Sequence, residues 1–207
     1  MKVTIFVEGG GDRQDVLTEC RRGFATFIGK MLPGKAKPTV VSCGGRGEAY
    51  KDFCTAVGQL KDGERAILLV DSEDQVSPGD RPWKYLHDRA EDGWDKPEGA
   101  DEEDACMMVQ CMESWFLADP ASVAAYYKND FKRTKLPKAV NGSVEAVSKE
   151  KIEKGMKSAT SETIKGTYHK RRHGFALLTV IKPEFVIAAS AHAEMLRDVL
   201  RKWLDDR

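Results

Sequence analysis

The sequence predicts an α/β fold: a Rossmann-like, mostly parallel four-stranded sheet flanked by helices, followed by a helical C-terminal part. Three observations carry this. Strand-like and helix-like segments alternate through the first 110 residues. Ala66-Ile67-Leu68-Leu69-Val70 is a continuous apolar run between helical patterns, as expected of a strand buried on both faces. Several of the proposed strands run into acids or glycines, the residues expected at the functional rim of such a sheet.

Taken in order, Lys2 to Val7 is β-branched and weakly alternating, and stops at Glu8-Gly9-Gly10-Gly11-Asp12. Val16, Leu17, Cys20, Phe24, Phe27, Ile28, Met31 and Leu32 recur at helical spacing until Pro33-Gly34 ends the pattern. Thr39 to Cys43 reads as a second strand that ends in Gly44-Gly45-Arg46-Gly47. A second amphipathic helix uses Ala49, Tyr50, Phe53, Cys54, Val57 and Leu60. The third strand, Ala66 to Val70, ends at Asp71-Ser72-Glu73-Asp74, and the fourth, Ala105 to Gln110, leads to Cys111-Met112-Glu113. Between them, Asp88 to Asp104 carries nine acids around Trp94, Pro97 and Gly99 and reads as an exposed, solvated flap. Residues 129–172 read as loop with one exposed helix near Val144 to Met156. Phe175 to Ile181 fits helix or strand. Met195, Leu196, Val199, Leu200, Trp203 and Leu204 form the stripe of a last helix.

A length of 207 residues suits one α/β domain, or one domain with a small appendage. We expect an α/β core over 1–127 and a basic loop and helical extension over 128–207 packing on it. With 41% hydrophobic and 32% charged residues, a disordered or fibrous chain is excluded. No apolar run reaches the ~18 residues that a membrane span needs. Five cysteines with no Cys-x-x-Cys pair argue against a disulfide framework or zinc ribbon, so a reduced, cytoplasmic protein is expected. Net charge is zero but uneven: residues 1–127 carry a net of −8 and residues 128–172 a net of +8. An acidic part joined to a basic one suits a carboxylate site beside a surface for polyanions.

Glu8, Asp12, Asp71, Glu73 and Glu113 fall along one edge of the proposed sheet. Carboxylates gathered there repel and call for a counter-ion. A hard divalent ion, Mg²⁺ or Mn²⁺, takes oxygen ligands of this kind together with substrate phosphate. Asp12 reads equally well as a helix N-cap, and Glu113 as a cap or salt-bridge partner. Lys132, Arg133, Lys135, His169, Arg171 and Arg172 are candidates for phosphate contacts. Tyr126, Tyr127 and Tyr168 are candidates for base stacking or for simple packing. No P-loop occurs, the G-x-G-x-x-G spacing fails after Val7, and no EF-hand loop follows Asp71. The basic residues between His169 and His173 disfavour zinc. Cys111 near Glu113 lacks the setting of a nucleophile. Gly44-Gly45-Arg46-Gly47 reads as a phosphate cradle or as a tight turn.

These motifs resemble those of TOPRIM domains, shared by topoisomerases, DnaG-type primases and OLD-family nucleases. Ile5-Phe6-Val7-Glu8-Gly9 matches the first motif, a strand ending in Glu-Gly. Leu68-Leu69-Val70-Asp71-Ser72-Glu73 matches the second, a strand ending in Asp-x-Asp, with Glu in place of the second Asp. Met112 to Asp119, and Tyr168-His169-Lys170 with His173-Gly174, resemble short bacterial TOPRIM-like proteins grouped as domain of unknown function 4276, related to RloB-type proteins. The resemblance implies a TOPRIM-like fold and Mg²⁺-dependent hydrolysis of DNA or RNA. It implies Glu8 as general acid/base or metal ligand, Asp71 and Glu73 as metal ligands, and Asp12 and Glu113 as supports for a second ion. It implies Lys170 as the lysine that stabilises developing phosphate charge. It further implies a phage-defence or toxin-type setting, often beside an ABC- or AAA-type ATPase as partner; an oligomer is possible through the apolar C-terminal helix. The alternatives are a non-catalytic TOPRIM module that binds nucleic acid or an ATPase, and a nucleotide hydrolase.

Overall fold

A computed structural model describes residues 1–77 and 79–205. Its order is β1 (Lys2–Val7), α1 (Gln14–Met31), β2 (Thr39–Ser42), α2 (Arg46–Val57), β3 (Glu64–Asp71), α3 (Pro82–Asp88), β4 (Ala105–Met108), α4 (Ser114–Ala118), α5 (Pro120–Tyr127), α6 (Lys149–Thr160), α7 (Phe175–Leu178), α8 (Pro183–Ala189) and α9 (Ala191–Asp205). The four strands form one parallel sheet in the order β2-β1-β3-β4. The α/β class and the four-stranded parallel sheet expected from the alternation are therefore present.

Side chains alternate across the sheet because successive residues of a strand face opposite ways. Val3, Ile5, Val7, Ile67, Leu69, Cys106 and Met108 face one layer, where Cys20, Phe24 and Phe27 of α1 cover them. Phe6, Ala66, Leu68, Val70, Ala105 and Met107 face the other, under Ala49, Phe53 and Val57 of α2 and Trp83 and Leu86 of α3. Leu196, Val199, Leu200 and Leu204 of α9 join the α1 layer, as do Phe175, Leu177 and Leu178 of α7. Gly23 lets α7 close on α1: a Cβ there would lie 2.6 Å from the Phe175 carbonyl oxygen.

The connection from β1 leads outward to β2, and that from β3 leads outward to β4 on the other side. The direction in which strands are added reverses between the parallel β1 and β3, and the crevice beyond their carboxyl ends is where doubly wound folds build sites.

Three local expectations are corrected, and one left open is decided. Asp88 to Asp104 keeps seven of its nine acids exposed, as expected, but it is docked on the core and is no free flap. Asp92 has a side chain only 2% exposed, held by Arg46 and Arg89. Trp94 stacks on Tyr50 at 4.5 Å, Trp83 Nε1 donates to the Asp101 carbonyl at 3.0 Å, and Asp104 is buried against Arg65. The helix placed near Val144 to Met156 is α6, and it buries Ile152, Met156 and Ala159. Phe175 to Leu178 is helical and follows a π turn at Lys170–Gly174. In α9, Met195 stands 40% exposed while the rest of its stripe turns inward.

A candidate acidic site at the sheet's switch point

Glu8 follows β1 directly, and its backbone N–H continues the ladder to the Leu69 carbonyl at 3.1 Å. Its Oε2 accepts from the Asp71 backbone N–H and from Arg46 Nη1, each at 3.2 Å. Asp71 is the last residue of β3 and is 1% exposed. Its Oδ1 accepts from the Met112 backbone N–H at 2.7 Å, and its Oδ2 from Lys170 Nζ at 2.9 Å. Two residues on, Glu73 adopts φ of +69°, a left-handed conformation uncommon outside glycine, asparagine and aspartate. The Gln110 carbonyl holds it there by accepting from the Glu73 N–H at 2.8 Å. One carboxylate oxygen each from Glu8, Asp71 and Glu73 lies within 4.8 Å of the other two. Backbone strain of this kind concentrates at functional sites.

The glycines after Glu8 shape this rim. Gly9, Gly10 and Gly11 all have positive φ, and Gly9 bridges Gly44 through N–H···O bonds of 2.9 and 3.1 Å. That bridge brings the β2-to-α2 turn, and with it Arg46, against Glu8. The turn presents a guanidinium, and its close packing on Gly11 is the tight-turn reading of Gly44 to Gly47.

Electrostatics follow from the burial. Burial first, and the Asp71 carboxylate second, push the Glu8 carboxyl up to about 7, against the pull of Arg46 and Lys170. Burial opposes a charge on Lys170, but Asp71 and Glu113 outweigh it and hold the ammonium well above the ordinary lysine range. Burial and Glu113 both raise the Cys111 thiol, away from the lowered pKa of an activated nucleophile.

Glu113 is placed differently from the other three acids. It precedes α4, accepts from the Tyr168 hydroxyl at 2.8 Å, and has an oxygen 3.7 Å from Lys170 Nζ. It anchors the lysine and lies outside the 4.8 Å group. Asp12 is exposed in a turn before α1, whose N-cap is Arg13, so it joins neither the group nor the cap.

A cleft of about 440 Å³ opens beside the cluster. Its walls include Lys149, Lys157, His169, Lys170 and Arg171. Of the basic residues picked out in the sequence, His169, Lys170 and Arg171 reach it. Lys132 instead pairs with Glu162, while Arg133, Lys135 and Arg172 are exposed and do not line it. Tyr127 and Tyr168 are 2% and 4% exposed, which makes them packing groups and corrects the stacking reading for both.

Two residues at the cluster carry little signal in the sequence. Arg46 lies in the glycine turn after β2, where the glycines alone mark a special backbone. Lys149 gave no signal among many lysines. It is placed by Gln110, whose Oε1 accepts from the Lys149 backbone N–H at 3.1 Å, and its ammonium bonds Glu73.

Fold and site together define a Rossmann-like α/β protein with a carboxylate cluster at the switch point of its sheet. The chain belongs to the family described as Domain of unknown function (DUF4276), whose model matches residues 7–201. Neither curated proteins nor solved structures give a match.

Proposed function

We propose that this protein is a TOPRIM-type, Mg²⁺- or Mn²⁺-dependent phosphodiesterase that hydrolyses DNA or RNA. The observation that carries the reading is the convergence of Glu8, Asp71 and Glu73 oxygens within 4.8 Å at the switch point, beside a basic cleft. The donor set fits the ion: three carboxylates, all oxygen, with no sulfur or imidazole among them. A bound divalent ion supplies charge neutralisation and a more acidic water at such a site.

The chain's own residues have separable roles. Asp71 is fixed by two hydrogen bonds and presents a rigid oxygen. Glu8 is pushed up to about 7 only while no ion is held, so an arriving ion would displace its proton and take the carboxylate as a ligand. Lys170, steadied by Glu113, sets a positive charge where the phosphate would gain negative charge. Arg171 and His169 extend the positive wall along which a phosphate backbone would run. A phage-defence or toxin-type setting and an ATPase partner belong to this reading through the TOPRIM resemblance.

One observation favours a second reading, a non-catalytic module that binds nucleic acid or an ATPase. Arg46, Lys170 and Lys149 already pair Glu8, Asp71 and Glu73 one for one. The readings separate when the protein is incubated with single- and double-stranded DNA and RNA in Mg²⁺ or Mn²⁺, beside Glu8→Ala and Asp71→Ala. The nuclease reading expects cleavage by the wild type alone. Cleavage that persists in both variants overturns the site. Absence of both cleavage and calorimetric metal binding favours the module.

A further inference from the structure

The three cations that neutralise the cluster are not equivalent. Arg46 is locked elsewhere: Asp92 accepts from its Nε and Nη2 at 2.7 and 2.6 Å, and the guanidinium lies 4.9 Å from the centre of the Trp94 ring. Lys170 keeps a second carboxylate, Glu113, at 3.7 Å. Lys149 makes one ion pair among the described residues, that with Glu73, from the first turn of α6. Its side chain is 36% exposed and borders the cleft.

A divalent ion on Glu73 would stand a few ångströms from that ammonium, and the like charges repel strongly at such a distance. Of the three cations, Lys149 has the least holding it and the open cleft beside it. Lys157, paired with Glu153 at 2.6 Å, lines the same space with Glu113, His169 and Arg171, so an anion near the last two would meet the ammonium as it leaves Glu73. We propose that Lys149 is an exchangeable counter-ion. It neutralises Glu73 while no divalent ion is held, and it turns to a phosphate oxygen of the substrate once one is. The inference rests on the reading that Glu8, Asp71 and Glu73 hold such an ion. It makes metal and phosphate-bearing substrate mutually supportive, since each favours the position of Lys149 that the other requires. Lys149 is then a positioning residue that ties substrate occupancy to metal occupancy.

The test measures free Mn²⁺ by electron paramagnetic resonance with the full-length wild type, Lys149→Met, Lys149→Arg and Asp71→Asn. Each is run with and without thymidine monophosphate, with circular dichroism to confirm folding. Without nucleotide, Lys149→Met is expected to bind Mn²⁺ about tenfold more tightly than wild type, the scale of removing one charge-assisted competitor. Thymidine monophosphate should tighten Mn²⁺ binding several-fold in the wild type and in Lys149→Arg, and not in Lys149→Met. Folded Lys149→Met that binds Mn²⁺ no tighter than wild type overturns the exchange. Equal tightening by the nucleotide in wild type and Lys149→Met overturns the substrate half. Wild-type affinity retained by Asp71→Asn overturns the cluster as the ion's seat, whatever Lys149 does. Absence of binding in both wild type and Lys149→Met overturns both readings.

Discussion

Asp71→Asn probes the cluster most directly, because the change preserves shape and removes one charge. Both partners of the carboxylate are donors: the Met112 N–H at 2.7 Å and the Lys170 ammonium at 2.9 Å. An amide offers one oxygen and one NH₂, so one face must set donor against donor. A buried donor left without an acceptor costs about 1–3 kcal/mol. Lys170 loses its nearest counter-charge, but its 40% exposure and Glu113 at 3.7 Å soften that loss. Relief of the Asp71–Glu8 repulsion works the other way. The net expectation is about 1–2 kcal/mol of destabilisation in chelator-treated protein, which lowers Tm by about 2–8 °C for a chain of this size. Because Asp71 is the second cause raising Glu8, the Glu8 carboxyl should fall from about 7 toward 4.5, and burial should keep it from arriving. Calorimetry reads the first effect, and carboxyl-carbon NMR titration reads the second. A variant that melts at or above wild type, with Glu8 still near 7, would refute the electrostatic account of the cluster.

Three further outcomes are expected. Gly23→Ala should lower Tm although Ala is the better helix former, because its Cβ would meet the Phe175 carbonyl at 2.6 Å; a rise in Tm would mean that α1 and α7 separate freely. Glu145→Ala should cost about 1–2 kcal/mol in urea unfolding, since Glu145 accepts from the Ser190 hydroxyl at 2.6 Å and the His192 N–H at 2.9 Å at the start of α9. Burial opposes the Glu145 charge, but those partners and the His192 ring hold its pKa below the usual range, so the loss should be full at neutral pH and fade as acid protonates the wild type. Burial raises Asp104 to about 6, so its share of stability is full below the unfolded carboxyl range and is lost as pH rises through 6. The wild type should therefore lose on the order of 2–3 kcal/mol relative to Asp104→Asn between pH 4 and 8, read from denaturant midpoints; parallel pH profiles would sink this.

The residues themselves determined much of this protein. Continuous apolar runs marked β3 and β4, because a strand covered on both faces has no polar side to show. Helical stripes marked α1, α2 and α9, because each helix buries one face. Glu8 and Asp71 were legible as members of one cluster because they directly end strands, and a parallel sheet aligns its strand ends on one rim. Glu73 was legible by its spacing from Asp71, although the left-handed backbone that turns it inward was not. Asp92 and Trp94 misled, since an acidic segment that pairs with distant arginines has the same composition as a solvated one.

Tertiary structure alone decided which cation meets which acid. Arg46 reaches Glu8 across 38 positions of chain, Lys149 reaches Glu73 across 76, and Lys170 reaches Asp71 across 99. Each contact exists because the order β2-β1-β3-β4 sets β2 beside β1, and because Gln110 and the π turn after His169 deliver the two lysines to the same rim. Local pattern reports how a segment buries its own apolar face. Which charged side chains meet depends on how those faces stack, a property of the packed whole.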